Sequence, residues 1–552
     1  MKYCKVWLWG LIVWLASAHA LANGQLEIRV IDHDTGQPIA VRMHLKNAQG
    51  RAIKPPGAPT LGDHFVFSDK IMLRLPNGGY EFLVERGGEY LEQRGHFEIQ
   101  NFADDNKAIE MRRFVDMAKD GWFSGDLDVE RPDKDVQLLM QADDVHVVPA
   151  ITWSFKKNPW TKQPLPKSAV SQFDGSFFES LLGGELTTPG TTLRLFRLNR
   201  PLGFTGQQGD LATSVSQLEK PNLALGSVPL IPLVEQARQQ QHAWIDAGAF
   251  FARDLPIWIA AGQIDSVQLA NRHLEREGVV DNEAGGWQRD TALFPKPNGN
   301  GRWSQEIYYH LLNCGLRIPP TAGSGSGANN NPVGYNRMYV HVADSVSTAP
   351  APNFSADESA AKSVPVAQNS DISWDGWWNA LRAGRVSVTN GPLIRPNVQG
   401  HLPGYVFKAD PGKPLELMIG LTLSTRDKIR YLDVVQNGRI ASEASLDDYK
   451  QAGGKLAPLT FNESGWFVVR VVGENAQTYR FATTAPYYVE FGYQPRISRK
   501  SAQFFLDWTS KRAEEISAAA KTDNSAVAQI AVKYAEQAKS YWQTLVDKAN
   551  AE

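Results

Sequence analysis

The stretch Gly121-Trp122-Phe123-Ser124-Gly125-Asp126-Leu127-Asp128-Val129-Glu130-Arg131-Pro132 decides how the middle of this chain is interpreted. Its first half is mostly apolar and its second half alternates carboxylates with apolar residues, which is typical of a short buried strand that ends at a polar edge. Because side chains alternate between the two faces of a strand, Asp126, Asp128 and Glu130 are predicted to lean to one side. Three acids on one side repel one another unless a cation, a proton or a basic partner compensates them. The stretch therefore predicts a pocket lined by carboxylates.

The length and charge of the chain limit the class of protein. At 552 residues the chain is too long for one ordinary core, so we expect several domains. The net charge of −2 argues against a nucleic-acid-binding protein. Lys2 and Lys5 flank the start of an apolar run over 6–16, and small residues follow it. This pattern predicts a signal peptide over 1–22, cleaved after Ala20 or Ala22. The mature protein is then periplasmic or secreted and has no membrane span.

The pattern of apolar and polar residues changes three times after the predicted signal peptide. Residues 23–114 alternate apolar and polar positions between Gly- and Pro-containing turns, which predicts a β-sandwich domain. In residues 115–395 strand-like runs alternate with helical runs. Residues 396–495 return to short alternating strands, and residues 496–552 have helical periodicity with a break near Thr522. We therefore predict a C-terminal β-sandwich-like domain followed by a helical hairpin.

The β-then-α units of residues 115–395 predict a mostly parallel sheet. Roughly seven such units in about 270 residues suggest a distorted (β/α) barrel. Active sites of these barrels lie where strands end and loops begin. The polar residues at the predicted strand ends, together with Glu185 in a loop-like stretch, are Asp126, Asp128, Glu130, Thr152, Asp246, Asn271, His273, Ser324, Thr389 and Asn390. Several carboxylates and a histidine in one pocket could bind a divalent cation or supply an acid and a base.

Every candidate also has a structural interpretation. The alternatives are a loop cap or an arginine pair for Asp126, pairing with basic groups for Asp128 and Glu130, an exposed loop acid for Glu185, a helix N-cap for Asp246 and a core histidine for His273. His146 lies among valines, which favours a structural role. Cys314 stands alone in the mature chain at a predicted helix end, so a buried and inert thiol is expected.

Residues 115–395 resemble the CehA/McbA family of the PHP superfamily of metallohydrolases. The resemblance is carried by residues 121–127, Gly183-Gly184-Glu185, Gly323-Ser324 and the run from Gly384 to Pro392. It implies a distorted (β/α)7 PHP-like barrel and a cluster of metal ions that activates water for ester or phosphoester hydrolysis.

Carried over residue by residue, the resemblance places two family histidines on Asp128 and Glu130 and the bridging acid on Glu185. A later family histidine falls on Asp246, while the family's Asp-His pair falls on Trp153 and Ser154. The final Asp-x-His falls on residues 325–327, which offer no strong ligand. The predicted metal ligands are Asp126, Asp128, Glu130, Glu185 and His273, and the predicted catalytic residues are Asp128, Glu130, Asp246, His273 and Asn390.

The set of side chains that replaces the family histidines is rich in oxygen. Such a set suits Mg²⁺, Mn²⁺ or Ca²⁺ better than Zn²⁺. The first hypothesis is therefore an exported PHP-like hydrolase acting on an ester, phosphoester or glycan-type substrate. The second is an inactive PHP-like pseudoenzyme that binds a glycan or another small periplasmic ligand. The third is a metal-free glycosidase with paired carboxylates, in which tryptophans such as Trp153, Trp160 and Trp303 stack on sugar rings or simply form core.

Overall fold

The computed structural model describes residues 23–100, 103–154, 157–202, 230–342, 372–522 and 526–552. The predicted signal peptide over 1–22 and the predicted loop over 345–370 lie outside these residues. Within them the chain is multi-domain and rich in strands, with several sheets and separate hydrophobic cores.

The N-terminal region consists of two sheets that face each other across one core. Leu26, Ile28 and Val30 of its first strand alternate with polar residues and point into that core, as the sequence predicts. The strands are β1 (Asn23–Asp32), β2 (Ala40–Asn47), β3 (Thr60–Leu61), β4 (His64–Ser68), β5 (Lys70–Pro76), β6 (Gly78–Glu85), β7 (Gln93–Ile99) and β8 (Asp104–Met111). One sheet has the order β5-β1-β8 and the other β3-β4-β2-β6-β7.

The central region alternates strands and helices. Its strands are β9 (Trp122–Gly125), β10 (Val147–Ser154), β11 (Ser171–Phe173), β12 (Phe177–Thr188), β13 (Thr191–Phe196), β14 (Trp244–Ala247), β15 (Ser266–Ala270), β16 (Leu274–Glu275), β17 (Gly278–Val279), β18 (Pro320–Ala322), β19 (Arg337–His341) and β20 (Val386–Thr389). Its helices are α1 (Val136–Asp143), α2 (Ile231–Arg238), α3 (Leu255–Ala260), α4 (Gly299–Asn313) and α5 (Trp374–Arg382). Short 3₁₀ helices cover Ala118–Asp120, Asp133–Asp135 and Pro159–Thr161.

Local chemistry explains where these central helices lie. Helix α5 begins after Ser373, whose hydroxyl accepts the Gly376 N–H. In α4 the residues Trp303, Ile307 and Leu311 recur every four positions and are buried together. The predicted helices over 229–242, 303–313 and 374–383 are confirmed, with ends that differ by a few residues.

The central sheet is mixed, so the prediction of a mostly parallel sheet is wrong. Strands β9, β10 and β12 run parallel, as do β14, β15 and β18, but β12, β13 and β14 pair antiparallel. The reason is a tight hairpin: Pro189 and Gly190 join β12 to β13, and Gly190 has a φ of 76° that suits glycine. The stretch around Glu185 that looked like a loop is therefore part of strand β12.

No closed barrel is found among the strands that the structure describes, and the (β/α)7 barrel stays a prediction. Beyond β9, the backbone N–H of Leu127 donates to the carbonyl of Ala322 at 3.0 Å, and Val129 forms a parallel bridge with Ser326. These bonds bring the segment that follows β9 next to the segment that follows β18.

The C-terminal strands continue the central sheet. They are β21 (Leu393–Val398), β22 (Val406–Ala409), β23 (Leu415–Leu417), β24 (Ile419–Ser424), β25 (Ile429–Gln436), β26 (Arg439–Ala444), β27 (Leu459–Phe461), β28 (Gly465–Gly473), β29 (Phe481–Thr484) and β30 (Tyr487–Phe491), with helix α6 (Leu446–Gln451) between β26 and β27. Strand β20 pairs antiparallel with β29, which pairs with β28. One hydrogen-bonded sheet thus crosses residue 395, where the sequence pattern changes.

The chain ends in two long helices, α7 (Arg499–Ala520) and α8 (Ala526–Asp547). Phe505 and Trp542 stack across the pair with ring centroids 4.6 Å apart. The indole N–H of Trp542 also donates to the carbonyl of Pro256 in α3. The predicted helices of the C-terminal tail are confirmed, and they pack on the central region.

Candidate functional site

Three of the predicted site residues come together, namely Asp128, Glu130 and Glu185, which we call the acid cluster. Each offers one carboxylate oxygen, and these oxygens all lie within 4.8 Å of one another. Asp128 and Glu130 follow strand β9, and Glu185 lies in β12 on the far side of β10. Alternation along the chain beyond β9 thus directs Asp128 and Glu130 to the same place, as the sequence predicts.

Two arginines compensate the acid cluster. Arg272 donates from Nε to Asp128 Oδ2 at 2.8 Å and from Nη2 to Asp128 Oδ1 at 2.7 Å. The same Nη2 contacts Glu185 Oε2 at 2.7 Å and also binds Glu130. Arg194 donates from Nη2 to Asp128 Oδ2 at 2.7 Å and lies 3.4 Å from Glu185 Oε2. The three carboxylates and two guanidinium groups carry a formal charge of −1 between them.

The electrostatics differ sharply between the members of the acid cluster. Burial raises the pKa of Asp128, but the charges of Arg194 and Arg272 outweigh it and hold that pKa below its ordinary value. Burial and the neighbouring charge of Glu185 instead raise the pKa of Glu130. Asp128 is fully buried, whereas the Glu130 side chain is one-third exposed. Asp128 is therefore the fixed anion of the site, and Glu130 takes a proton more readily than Asp128 does.

Asp126, a predicted metal ligand, lies outside the acid cluster. Its carboxylate accepts backbone N–H groups from Asp128, Ser324 and Gly334 at 2.9, 2.9 and 2.7 Å. Strand β9 has already ended at Gly125, so the alternation predicted for three acids begins only at Asp128. Asp126 is a structural residue that holds two loops against the end of β9.

Asp246 and His273 also lie outside the acid cluster. Asp246 Oδ1 accepts hydroxyl groups from Ser266 and Thr321, and burial raises its pKa to about 6. It is the cross-strand partner of Arg194 in the antiparallel β13–β14 pair. His273 is fully buried, its Nδ1 lies 2.5 Å from Asn271 Oδ1, and burial lowers its pKa to about 3. The predicted roles of His273 as a metal ligand and a catalytic residue find no support in this geometry.

The side-chain amide of Asn390 forms hydrogen bonds with backbone groups. Its Nδ2 donates to the carbonyl of Tyr479, and its Oδ1 accepts the N–H of Phe481, both at 2.9 Å. This residue ties the end of β20 to the start of β29 and lies outside the acid cluster and the lining of the cleft beside it. His146 has the structural role that its sequence context favours, since Nδ1 lies 2.9 Å from Ser124 Oγ and burial lowers its pKa to about 4.

A cleft of about 640 Å³ opens beside the acid cluster, and we call it the tryptophan cleft. Two carboxylates of the acid cluster and two indoles line it, together with polar groups: Glu130, Glu185, Trp153, Trp160, Thr152, Lys157, Gln163 and Thr187. The indole N–H of Trp160 donates to Thr152 Oγ1 at 2.8 Å. A Cβ on Gly184 would lie 2.1 Å from the Trp153 ring, so this glycine is needed for the ring to pack beside Glu185. The third predicted tryptophan, Trp303, lies in helix α4 and packs against Phe294 instead.

A second cleft of about 550 Å³ is lined by the two arginines that compensate the acid cluster, and we call it the arginine cleft. Its lining includes Arg194, Arg272, Asn271, Thr192 and Gly248, and Thr187 borders both clefts. Arg194 is 2% exposed, yet its Nε and Nη1 have no hydrogen-bond partner among the residues that the structure describes. Buried donors without partners are costly, which favours a ligand oxygen at this position.

Two groups of side chains, counted over the described ranges only, have ligand atoms close enough to share a metal ion. They are the acid cluster and a group of His44, Asp63 and His64 in the N-terminal region. In the acid cluster, Arg272 and Arg194 already bind the oxygens that would coordinate the ion. That set also lacks an imidazole, so it does not fit a histidine-rich metal cluster of the kind that the resemblance implies while both arginines are in place.

Sequence analysis missed the two arginines. Arg194 lies between buried leucines in the stretch Leu193-Arg194-Leu195, and Arg272 lies between two predicted site residues, Asn271 and His273. A lone arginine on an otherwise apolar buried strand is the signal that could have found Arg194, because such a charge needs a buried partner.

Comparisons with known proteins add little to this geometry. No protein-family model and no curated protein matches the chain. Among solved structures there is a match to the Bacillus anthracis TIE protein, 19% identical over 20% of each chain with a TM-score of 0.13. That likeness carries no argument about fold or function. None of the helices within the described ranges combines the length and apolar character needed to cross a membrane.

Proposed function

We propose that this protein is exported and binds a sugar-type ligand in the tryptophan cleft, on a scaffold that diverged from PHP-like hydrolases. The observation that carries the proposal is the pair of arginines on the acid cluster. Arg272 alone contacts Asp128, Glu130 and Glu185, so the oxygens that would hold a catalytic metal serve instead in ion pairs. Because the arginines neutralise most of its negative charge, the acid cluster can form hydrogen bonds with a ligand but has no free position for a cation.

The lining of the tryptophan cleft suits a polyhydroxylated ring. Carboxylate oxygens of Glu130 and Glu185 accept hydroxyl donors, while Lys157 and Gln163 donate to hydroxyl oxygens. Trp160 borders the cleft with only 4% of its surface exposed, so it offers the sugar an apolar edge and not a full stacking face. The volume of about 640 Å³ lies within the range of about 300–1,000 Å³ that holds small-molecule ligands.

Calorimetric titration of the purified chain with a panel of neutral oligosaccharides of gluco, xylo and manno configuration tests the proposal. We expect one saccharide class to bind, and the Gln163→Ala variant to bind it about 10-fold more weakly, which is the scale of one lost hydrogen bond. The matched control is Gln172→Ala, because Gln172 is also exposed and its amide donates to the carbonyl of Gly175 outside the lining of the cleft. Circular dichroism verifies that both variants fold. Absence of binding, or equal binding by Gln163→Ala and the wild type, refutes the proposal.

A second candidate is hydrolysis of a glycoside by Glu130 and Glu185 without a metal. Their nearest carboxylate oxygens lie within 4.8 Å, close to the separation of about 5–5.5 Å between the carboxyl groups of retaining glycosidases. The raised pKa of Glu130 suits the acid that protonates the leaving oxygen. Glu185, held by Arg272, suits the nucleophile that attacks the anomeric carbon, and water then releases the sugar with Glu130 as base.

Turnover of a panel of nitrophenyl glycosides, measured with and without chelator, distinguishes the two candidates. Chelator-resistant turnover that Glu130→Gln abolishes supports hydrolysis. The control is Glu275→Gln, since Glu275 also has a pKa raised by burial but lies outside the acid cluster. Saccharide binding without turnover supports the binding protein, and turnover that the chelator abolishes refutes both.

A further inference from the structure

His44 and His64 face each other on neighbouring strands of the N-terminal region. They are direct partners in the antiparallel register of β2 and β4, and Asp63 lies in the turn just before β4. Both imidazoles are buried, with 5% and 3% of each residue exposed, while nearly half of the Asp63 side chain is exposed. The three side chains therefore form a polar cluster that meets solvent on the side of Asp63.

The spacing of the three side chains is near that of the ligands of a tetrahedral ion. His44 Nδ1 lies 2.9 Å from Asp63 Oδ1, and His64 Nδ1 lies 3.7 Å from the same oxygen. Zinc bonds of about 2.0–2.1 Å arranged as a tetrahedron place neighbouring ligand atoms roughly 3.3–3.4 Å apart. The two distances to Asp63 lie on either side of that value, and the ligand atoms of the two imidazoles lie within 4.8 Å of each other, so an ion would draw the three side chains closer together.

The far nitrogen of His44 has the carboxylate partner that metal-bound imidazoles usually have. Glu85 Oε2 lies 3.1 Å from His44 Nε2. A proton on Nε2 that is donated to Glu85 leaves the Nδ1 lone pair free to bind an ion. Arg276 Nη1 lies 3.0 Å from the same nitrogen and also pairs with Glu85 at 3.4 Å. In the alternative tautomer His44 accepts from Arg276 and donates from Nδ1 to Asp63, and no ion is held.

The charges around these three side chains are close to balanced. Arg42 pairs with Glu85 at 3.1 Å and also with Asp143, while Lys46 Nζ lies 3.7 Å from the other oxygen of Asp63. No guanidinium group binds the Oδ1 of Asp63 among the ion pairs of the described residues, in contrast to the acid cluster. Two imidazoles and one carboxylate suit Zn²⁺ and related transition metals, whereas Mg²⁺ and Ca²⁺ prefer oxygen alone.

We propose that His44, His64 and Asp63 bind one Zn²⁺ ion, with Glu85 as the positioning residue for His44 and a water on the solvent side of Asp63. The site lies where the N-terminal region meets the central one, because Arg276 reaches His44 and a Cβ on Gly62 would lie 3.3 Å from Asn330. The ion would hold the turn before β4 in place where the N-terminal and central regions meet. The proposal is independent of the ligand proposed for the tryptophan cleft.

Titration of the chelator-treated full chain with ZnCl₂, and with CoCl₂ as a spectroscopic probe, tests the site. We expect one equivalent of tightly bound zinc and visible Co²⁺ absorption of the strength typical of four-coordinate sites. Asp63→Asn, at a half-exposed position that does not threaten folding, is expected to weaken zinc affinity at least 10-fold. His64→Gln should weaken it further, and Glu85→Gln is expected to weaken it about 10- to 100-fold, the usual effect of losing a carboxylate partner.

His33→Gln is the matched control, because His33 forms an exposed pair with Asp34 in the same region at 2.8 Å. Zinc affinity should not change in this variant. The proposal is overturned if the wild type binds no stoichiometric zinc, or if Asp63→Asn and His64→Gln, both folded by circular dichroism, bind zinc as tightly as the wild type. Weak Co²⁺ absorption characteristic of six-coordinate ions would overturn the tetrahedral assignment.

Discussion

Replacing Arg272 with methionine should convert the acid cluster from an ion-paired site into a cation site. The guanidinium group of Arg272 makes hydrogen bonds to all three acids of the cluster. Methionine keeps much of the side-chain volume and removes the charge. Asp128 is fully buried and would keep Arg194 as its remaining cationic partner.

The magnitude follows from the burial of the ion pair. Removing one partner of a buried pair costs about 3–5 kcal/mol, and the remaining Arg194 places Arg272→Met near the lower end, about 3 kcal/mol. For a region of this size that corresponds to a fall of about 6 °C in melting temperature, at roughly 2 °C per kcal/mol. The vacated position leaves three carboxylate oxygens within 4.8 Å, a set that suits Ca²⁺ or Mn²⁺. An ion at 100 times its Kd would restore about 2.7 kcal/mol.

Thermal unfolding of wild type and variant, with and without millimolar CaCl₂ or MnCl₂, measures both effects. The matched control is Arg238→Met: Arg238 is 30% exposed against 27% for Arg272, and it pairs with the buried Asp265 at 2.8 Å. This control should also lose stability, but it should gain none from the ions, because it leaves a single carboxylate. Equal ion-dependent stabilisation of the wild type and Arg272→Met, or no loss of stability in Arg272→Met, would refute the role given to Arg272.

Three further outcomes follow from the geometry. In urea unfolding, Asp246→Asn should be more stable than the wild type at pH 8 and indistinguishable from it near pH 4. Burial raises the pKa of Asp246 from 3.8 to about 6. The protonated carboxyl therefore stabilises the wild type fully below pH 3.8, and up to about 3 kcal/mol of that stability is lost as the pH rises through 6. Gly184→Ala should cost about 1–3 kcal/mol in the same assay because the new Cβ would lie 2.1 Å from the Trp153 ring, whereas Gly79→Ala meets nothing within 4 Å and should retain near-native stability. Cys314 should react with a thiol reagent only after denaturation, since burial raises the pKa of its thiol; rapid reaction in the native state would contradict its buried position.

Local pattern predicted the elements well. Alternation and amphipathic spacing located β1, α4 and the two C-terminal helices because each depends on neighbours close in sequence. The β12–β13 hairpin was missed although Pro189 and Gly190 form a turn dipeptide, because Gly183 and Gly184 made the preceding strand look like a loop. Because of this hairpin, strand β13, which carries Arg194, runs antiparallel to β12.

The composition of the site was only half predictable. The convergence of Asp128 and Glu130 follows from their alternation beyond the end of β9, whereas Glu185 joins them from within β12. Their neutralisation depends on Arg194 and Arg272, which lie 66 and 144 residues away from Asp128 along the chain. No short-range pattern encodes a contact of that span, because it results from the order of strands in the whole sheet.

The pairing of β20 with β29 has a practical consequence for cutting this protein into fragments. A truncation after residue 395 would strip the partner from Ser387, Val388 and Thr389 and leave their backbone groups as an exposed sheet edge. Such a fragment is expected to aggregate on expression. The N-terminal sheets, in contrast, share no strand with the large sheet within the described ranges, so a shortened chain that starts near residue 115 would keep every hydrogen-bonded ladder of that sheet complete.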